Sequence, residues 1–191
     1  MNPRIYALTL VTFAFGSGAF IFAGLLETLA ADLHVTTAVA GQLQTVFVLT
    51  SAVLGPMAAW VFGRVDRRIM IIGALTLVML LHIACSLVPN FHSLMILRAF
   101  AGLAGAVSTP AASVAAASLA PPERRGSALA MVSGGMTLAF VAGIPMGSVV
   151  GAMFGWRSTF LVAAGLAAIA LLAVTLVLPK VPAPPKREGG Q

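Results

Sequence analysis

Charge is scarce in this chain. Of its 191 residues, 8% are Asp, Glu, Lys or Arg, where a water-soluble domain carries roughly 25%. A chain of this length cannot bury so much apolar side chain in a core of its own, so its solvent is a lipid bilayer. Cysteine occurs once, as Cys85 inside an apolar stretch, which excludes an intrachain disulfide. No His, Cys, Asp or Glu residues fall at metal-ligand spacing, and no phosphate-binding loop of the G-x-x-x-x-G-K-[ST] kind is present. Neither a metal cofactor nor ATP hydrolysis by this chain is expected. Serine and histidine occur without the arrangement a hydrolase needs. The glycines of "VSGGM" and "AGLAG" read as membrane packing residues. Segments of alternating polarity are missing, which excludes a closed membrane β-barrel. The expectation is a protein that is not an enzyme, with no cofactor and no nucleic-acid partner.

Apolar length is what the sequence does contain. Hydrophobic residues make up 60% of the chain, and mean hydropathy is +1.04. Polar and proline-rich punctuation divides them into six spans, at about 5–30, 37–62, 69–88, 93–118, 127–153 and 158–178. Each has the roughly 20 residues that cross a hydrocarbon core. The first is longer than the roughly 7–15-residue core of a signal peptide and reads as a retained span. The predicted fold is an all-α membrane protein. Residues 1–179 form six transmembrane helices, and residues 180–191 form a disordered tail rich in Pro, Gly and charge. The net charge of +6 is distributed by side. Arg4, Arg64, Arg67, Arg68, Arg124, Arg125, Lys180, Lys186 and Arg187 share one side of this topology, Arg157 falls opposite, and Arg98 lies within the fourth span. The positive-inside rule then places both termini in the cytoplasm.

Polar residues within the spans are the candidate site. Arg98, in "LRAFAGLAGAV", sits about six residues below the outer face. A cation at depth costs roughly 2.5–3.5 kcal/mol on insertion scales, which marks it as functional unless it snorkels to the headgroups. Glu27, in "GLLETLAADL", lies at about the same depth on the first span. Matched depth predicts a direct or water-bridged pair between Glu27 and Arg98; the alternative leaves Glu27 at the interface near Asp32. Gln42 and Gln44 add amides, of which at most one shares a face with Glu27. His82 completes the set of proton-coupling candidates, although a lone histidine there more often makes a satisfied interhelical hydrogen bond. On the fifth span, Gly143, Gly147 and Gly151 recur every fourth residue around Pro145. Such a stripe lets a second backbone approach closely, and Pro145 is tolerated where neighbours satisfy the freed carbonyl. The stripe packs either within the bundle or against another half.

Four stretches carry a resemblance. "GPMAAWVFGRVDRRIMII" resembles the loop signature G-x-L-A-D-R-x-G-R-R of the major facilitator superfamily, with Arg64, Arg67 and Arg68 on its three arginines. Gly63 stands at the family's aspartate and Asp66 at its second glycine, so the aspartate that helps lock one conformation is absent. Asp66 could instead pair locally with Arg64 or Arg67, which at an exposed site contributes about 0–1 kcal/mol. Arg98 and Gly102 match the fourth-helix signature, whose arginine is implicated in coupling in proton-linked members. The first span and "AGQL" resemble the drug:proton antiporter branch and its sugar- and nucleoside-efflux relatives. Ala19 stands where many of these carry a glutamate, and Glu27 where they carry a proline. "GIPMGSVVG" resembles the antiporter signature of the fifth helix, and Gly155, Trp156, Arg157 and Phe160 match the start of the sixth.

The resemblance implies one half of a twelve-helix transporter whose halves are related by an axis along the membrane normal. It further implies secondary active, proton-coupled efflux of a small molecule across a bacterial inner membrane. Arg64, Asp66, Arg67 and Arg68 would form a conformational gate. Gly143, Pro145, Gly147 and Gly151 would pack between halves. The implied partners are the bilayer, a small-molecule substrate, and a second copy or a complementary six-helix half. Three readings follow: a parallel homodimer, an N-terminal half needing a separate C-terminal half or a truncated fragment, and a non-transporting interaction or assembly protein.

Overall fold

The structure, a computed structural model, describes residues 3–181; most of the expected tail lies outside the described residues. Its helices are α1 (Pro3–Phe20), α2 (Leu26–Asp32), α3 (Thr37–Val61), α4 (Arg67–Leu87), α5 (Phe91–Leu119), α6 (Arg125–Leu138), α7 (Ile144–Phe154) and α8 (Trp156–Val177). They make six units apolar and long enough to cross a membrane, the first being α1 with α2 and the fifth α6 with α7. The fold is therefore all-α with six membrane-spanning helices, as the composition implies.

Local chemistry sets where these helices begin. The Thr36 hydroxyl accepts from the Val39 N–H at 3.3 Å, and the Asn90 side chain accepts from the Ser93 N–H at 2.9 Å. The Asp66 carboxylate accepts from the N–H groups of Arg68 and Ile69, at 2.8 and 3.4 Å. These are N-caps that satisfy donors left over by the first helical turn. Asp66 is thus occupied as a cap for α4 and does not pair with Arg64 or Arg67. Between α7 and α8 the chain turns at Gly155, whose φ of +84° lies in the region that favours glycine.

Two spans are irregular. The first loses its α-helical ladder after Phe20 and resumes at Leu26 through a short 3₁₀ turn at Ala23–Leu25. The fifth widens into a π turn at Ala139–Gly143. Pro145 has no N–H to offer the Val141 carbonyl, and one wider turn absorbs that break.

α1 runs through the middle, packed against α5, α6 and α8, while α3 packs on α5 and α4 on both α5 and α8. The core is dominated by small residues, including Ala101, Ala104, Ala111, Ala112, Ala115 and Ala116 of α5. Close backbone approach of this kind holds helices together in a bilayer, where burial of apolar surface supplies little. The second and fifth spans are the least buried, at 17% and 22% of their apolar stretches against 67% for the first.

Candidate functional site

The break in the first span positions the site. Where α1 ends, the carbonyls of Gly18 and Ala19 receive their hydrogen bonds from Arg98, through Nη1 at 3.0 Å and Nη2 at 2.8 Å. Nη2 also donates to Gln44 Oε1 at 3.3 Å. The guanidinium is held between the rings of Phe22 and Phe47, 4.7 and 4.6 Å from their centroids. Arg98 is 0% exposed, so it does not snorkel. Its role in this geometry is to cap the C-terminal end of α1 with a fork of donors, for which a planar guanidinium is suited. Carbonyl dipoles and aromatic faces stand in for a counter-ion.

The expected Glu27–Arg98 pair does not form. Glu27 is exposed on α2, and α2 follows the break, so its facing is no longer set by the rotation of α1. Gln42 is exposed, whereas Gln44 is half-buried and joins Arg98. On the opposite flank of the break, His82 of α4 is 1% exposed and packs directly on Gly18, with the Phe160 ring 6.0 Å away. A Cβ at position 18 would collide with its Nε2. His82 is not the satisfied hydrogen-bonder expected of a lone buried histidine, because Nδ1 is buried without a partner. Gly18 is the residue that the sequence reading missed. Its signal was weak, one glycine among 19.

Beside this node lies a cleft of about 450 Å³, walled by Phe15, Ala19, Phe20, Phe47, Ser51 and Thr109 among others. Ala19 and Phe47 therefore have Arg98 on one side and the cleft on the other. No Asp, Glu, Lys or Arg lines it among the described residues. The Ser51 hydroxyl donates to the Gly102 carbonyl at 2.7 Å. The Gly102 backbone thus meets α3 at close range, where an added Cβ would press on the Phe47 carbonyl.

The glycine stripe faces inward. Gly143 lies on Ser17, Gly147 on the Ile21 carbonyl and Gly151 on Leu25. Four-residue steps on one span meet four-residue steps on the other, so the stripe is covered by the first span of the same bundle. The expectation that these glycines pack between halves is corrected accordingly. Pro145 is exposed, on the outer side of the fifth span with Val141 and Val149.

At the basic end, Arg67 donates to the carbonyls of Phe62 and Gly63, at 3.4 and 3.2 Å, and Arg68 donates to the Thr175 carbonyl at 2.8 Å. Both cap helix C-termini, of α3 and α8, where cations complement the helix dipole. Arg64 is exposed. At the other end, Asp32 accepts from Arg157 at 2.6 Å and from Trp156 Nε1 at 3.0 Å, and Arg157 also reaches the Val88 carbonyl at 3.4 Å. This contact ties the ends of α2, α4 and α8 together.

Six apolar helices built around a buried helix-capping arginine accord with a match to the family model of the Major Facilitator Superfamily, over residues 8–191. The chain belongs to the major facilitator superfamily. A relative in Bacillus subtilis (strain 168), named an uncharacterized MFS-type transporter YfhI, is 29% identical over 175 residues. The alignment covers 92% of this chain and 44% of that relative, so the chain spans less than half of its length. Membership makes this an integral membrane protein of a transporter family, with the six helices of one half of the superfamily fold.

Proposed function

We propose that the chain is half of a secondary active transporter that moves a small, uncharged, largely apolar molecule. The observation that carries this reading is the cleft walled by Phe15, Phe20 and Phe47, which offers the Ser51 and Thr109 hydroxyls and, among the described residues, no charged side chain. Binding sites of this class are mostly apolar with a few polar groups that fix orientation. The second half is a parallel copy of the chain. It docks on the exposed faces of α3 (Val48, Leu49, Val53, Met57) and of the fifth span (Phe140, Val141, Val149). A parallel two-fold pair closes on itself and reproduces the relation between superfamily halves. The basic end faces the cytoplasm of a bacterial cell. Transport is outward and coupled to protons, with Arg98, Gln44 and His82 beside the moving first span, Glu27 and Gln42 at its outer side, and the loop of Arg64, Asp66, Arg67 and Arg68 as the gate.

The test uses everted membrane vesicles and a panel of neutral lipophilic dyes. Uptake that collapses with a protonophore and is lost in Arg98→Ala supports the reading. Uptake unchanged in a folded Arg98→Ala variant refutes the role of Arg98. A second reading is favoured by the 44% coverage of the relative: the partner is a separate six-helix half. Transport that requires co-expression of such a half, with none from this chain alone, selects that reading.

A further inference from the structure

Away from the substrate cleft, a second hollow opens sideways between α4 and α5 near the basic end. It encloses about 320 Å³ and is almost wholly apolar. Gly73 forms its notch, since a Cβ there would meet nothing within 4 Å. Leu77, Leu103 and Val107 form its walls, and Phe62, Val65 and Ile69 close it toward the basic end. A smaller hollow of about 110 Å³ adjoins it across Met70 and Val107, with Arg67 in its wall. The apolar trough therefore ends at a charged rim.

That rim is not neutralised. The loop and first turn of α4 carry Arg64, Arg67 and Arg68 against one carboxylate, Asp66. Asp66 is occupied by the N–H groups of Arg68 and Ile69. Arg67 and Arg68 donate to neutral carbonyls and one thioether, and Nε of each is buried without a partner. Among the described residues no ion pair reaches any of the three; the Asp32–Arg157 pair lies at the far end of the bundle. An apolar slot that borders the uncompensated Arg67 guanidinium, with Arg64 in the loop just before it, is complementary to a lipid of opposite charge.

We propose that this hollow is a specific site for an anionic phospholipid. One acyl chain lies in the α4–α5 slot over Gly73, and the headgroup phosphate meets Arg64 and Arg67. The lipid supplies the negative charge that the loop lacks and braces the α3–α4 connection.

The experiment places a fluorescent reporter in the slot. In a Trp60→Phe, Trp156→Phe background, Leu77→Trp is read in vesicles that mix ordinary phosphatidylcholine with brominated phosphatidylglycerol or brominated phosphatidylcholine. Leu172→Trp, on the exposed face of α8, is the control. Each arginine near a membrane surface favours an anionic lipid by about fivefold. The expected result at Leu77→Trp is at least about a fivefold preference for phosphatidylglycerol, against near-equal quenching at Leu172→Trp. Arg64→Gln together with Arg67→Gln removes the preference. Gly73→Leu fills the slot and removes it with the charge intact. Arg64→Gln alone, at an exposed residue that caps no helix, lowers it and serves if the double variant does not fold. The proposal is overturned by equal quenching by the two lipids at Leu77→Trp. It is also overturned by an equal preference at Leu172→Trp, by survival of the preference in Arg64→Gln/Arg67→Gln, or by a Leu77→Trp reporter that no lipid quenches because protein covers the slot.

Discussion

Gly147→Ala tests the close contact between the first and fifth spans. The new methyl group would overlap the Ile21 carbonyl oxygen, a main-chain atom that cannot rotate away. Relief requires the two spans to separate, and overpacking of this kind costs roughly 1–3 kcal/mol. The upper part of that range, about 2–3 kcal/mol, applies because the obstacle is backbone. Alanine recovers about 1 kcal/mol of helix propensity, leaving a net loss of about 1–2 kcal/mol. Two substitutions calibrate this estimate. Gly151→Ala meets only side-chain atoms of Leu25, Cδ1 first, which can shift where a carbonyl cannot, so its two contributions nearly cancel. Gly134→Ala meets nothing within 4 Å and gains up to about 1 kcal/mol. Equilibrium unfolding of the detergent-solubilised monomer, followed by circular dichroism under increasing denaturing detergent, should rank them Gly134→Ala, Gly151→Ala, Gly147→Ala in falling stability. A Gly147→Ala monomer as stable as Gly134→Ala refutes the intrabundle packing. So would a Gly147→Ala loss that is seen only in a dimer.

Other substitutions probe the broken first span. Arg98→Ala strips the Gly18 and Ala19 carbonyls of their donors, at about 1–3 kcal/mol each, and should lower stability by about 2–6 kcal/mol in the same unfolding assay. Arg98→Lys, a point charge without the planar fork, should fall between. Gly18→Ala should destabilise the protein through its collision with His82, and His82→Ala should relieve it. A double-mutant cycle is expected to show coupling of about 1 kcal/mol or more, and additivity would contradict the contact. Glu27→Gln should change stability by less than about 0.5 kcal/mol, as exposed sites do, with no coupling to Arg98→Ala.

Legibility in the sequence followed the kind of information each feature needs. Spans were readable because apolar length is a property of consecutive residues, and Arg98 stood out because a cation at depth is costly wherever it points. Its partners were not readable. They are the main-chain carbonyls of Gly18 and Ala19, which have no residue identity to recognise. The Glu27 pairing rested on depth alone, and depth says nothing about azimuth once the ladder breaks after Phe20. The glycine stripe illustrates the same limit. Spacing fixes the face of a helix about its own axis, so Gly143, Gly147 and Gly151 could be grouped correctly. Which neighbour covers that face is a tertiary fact, and it is the first span. Asp66 read as an ion-pair partner because charges nearby in sequence invite pairing, whereas the first turn of α4 offered it two backbone donors instead.

In the proposed pair, the outer faces of the second and fifth spans, not the glycine stripe, receive the second copy of the chain. Cysteines at Val53 and Val149, both exposed, test it most directly in a Cys85→Ala background. Two copies with different tags, one carrying each cysteine, are co-expressed and oxidised in the membrane. The expected result is a mixed-tag disulfide dimer from this pair and none when Leu172→Cys on α8 replaces Val149→Cys. Absence of the mixed dimer, with only monomers in the bilayer, would contradict it.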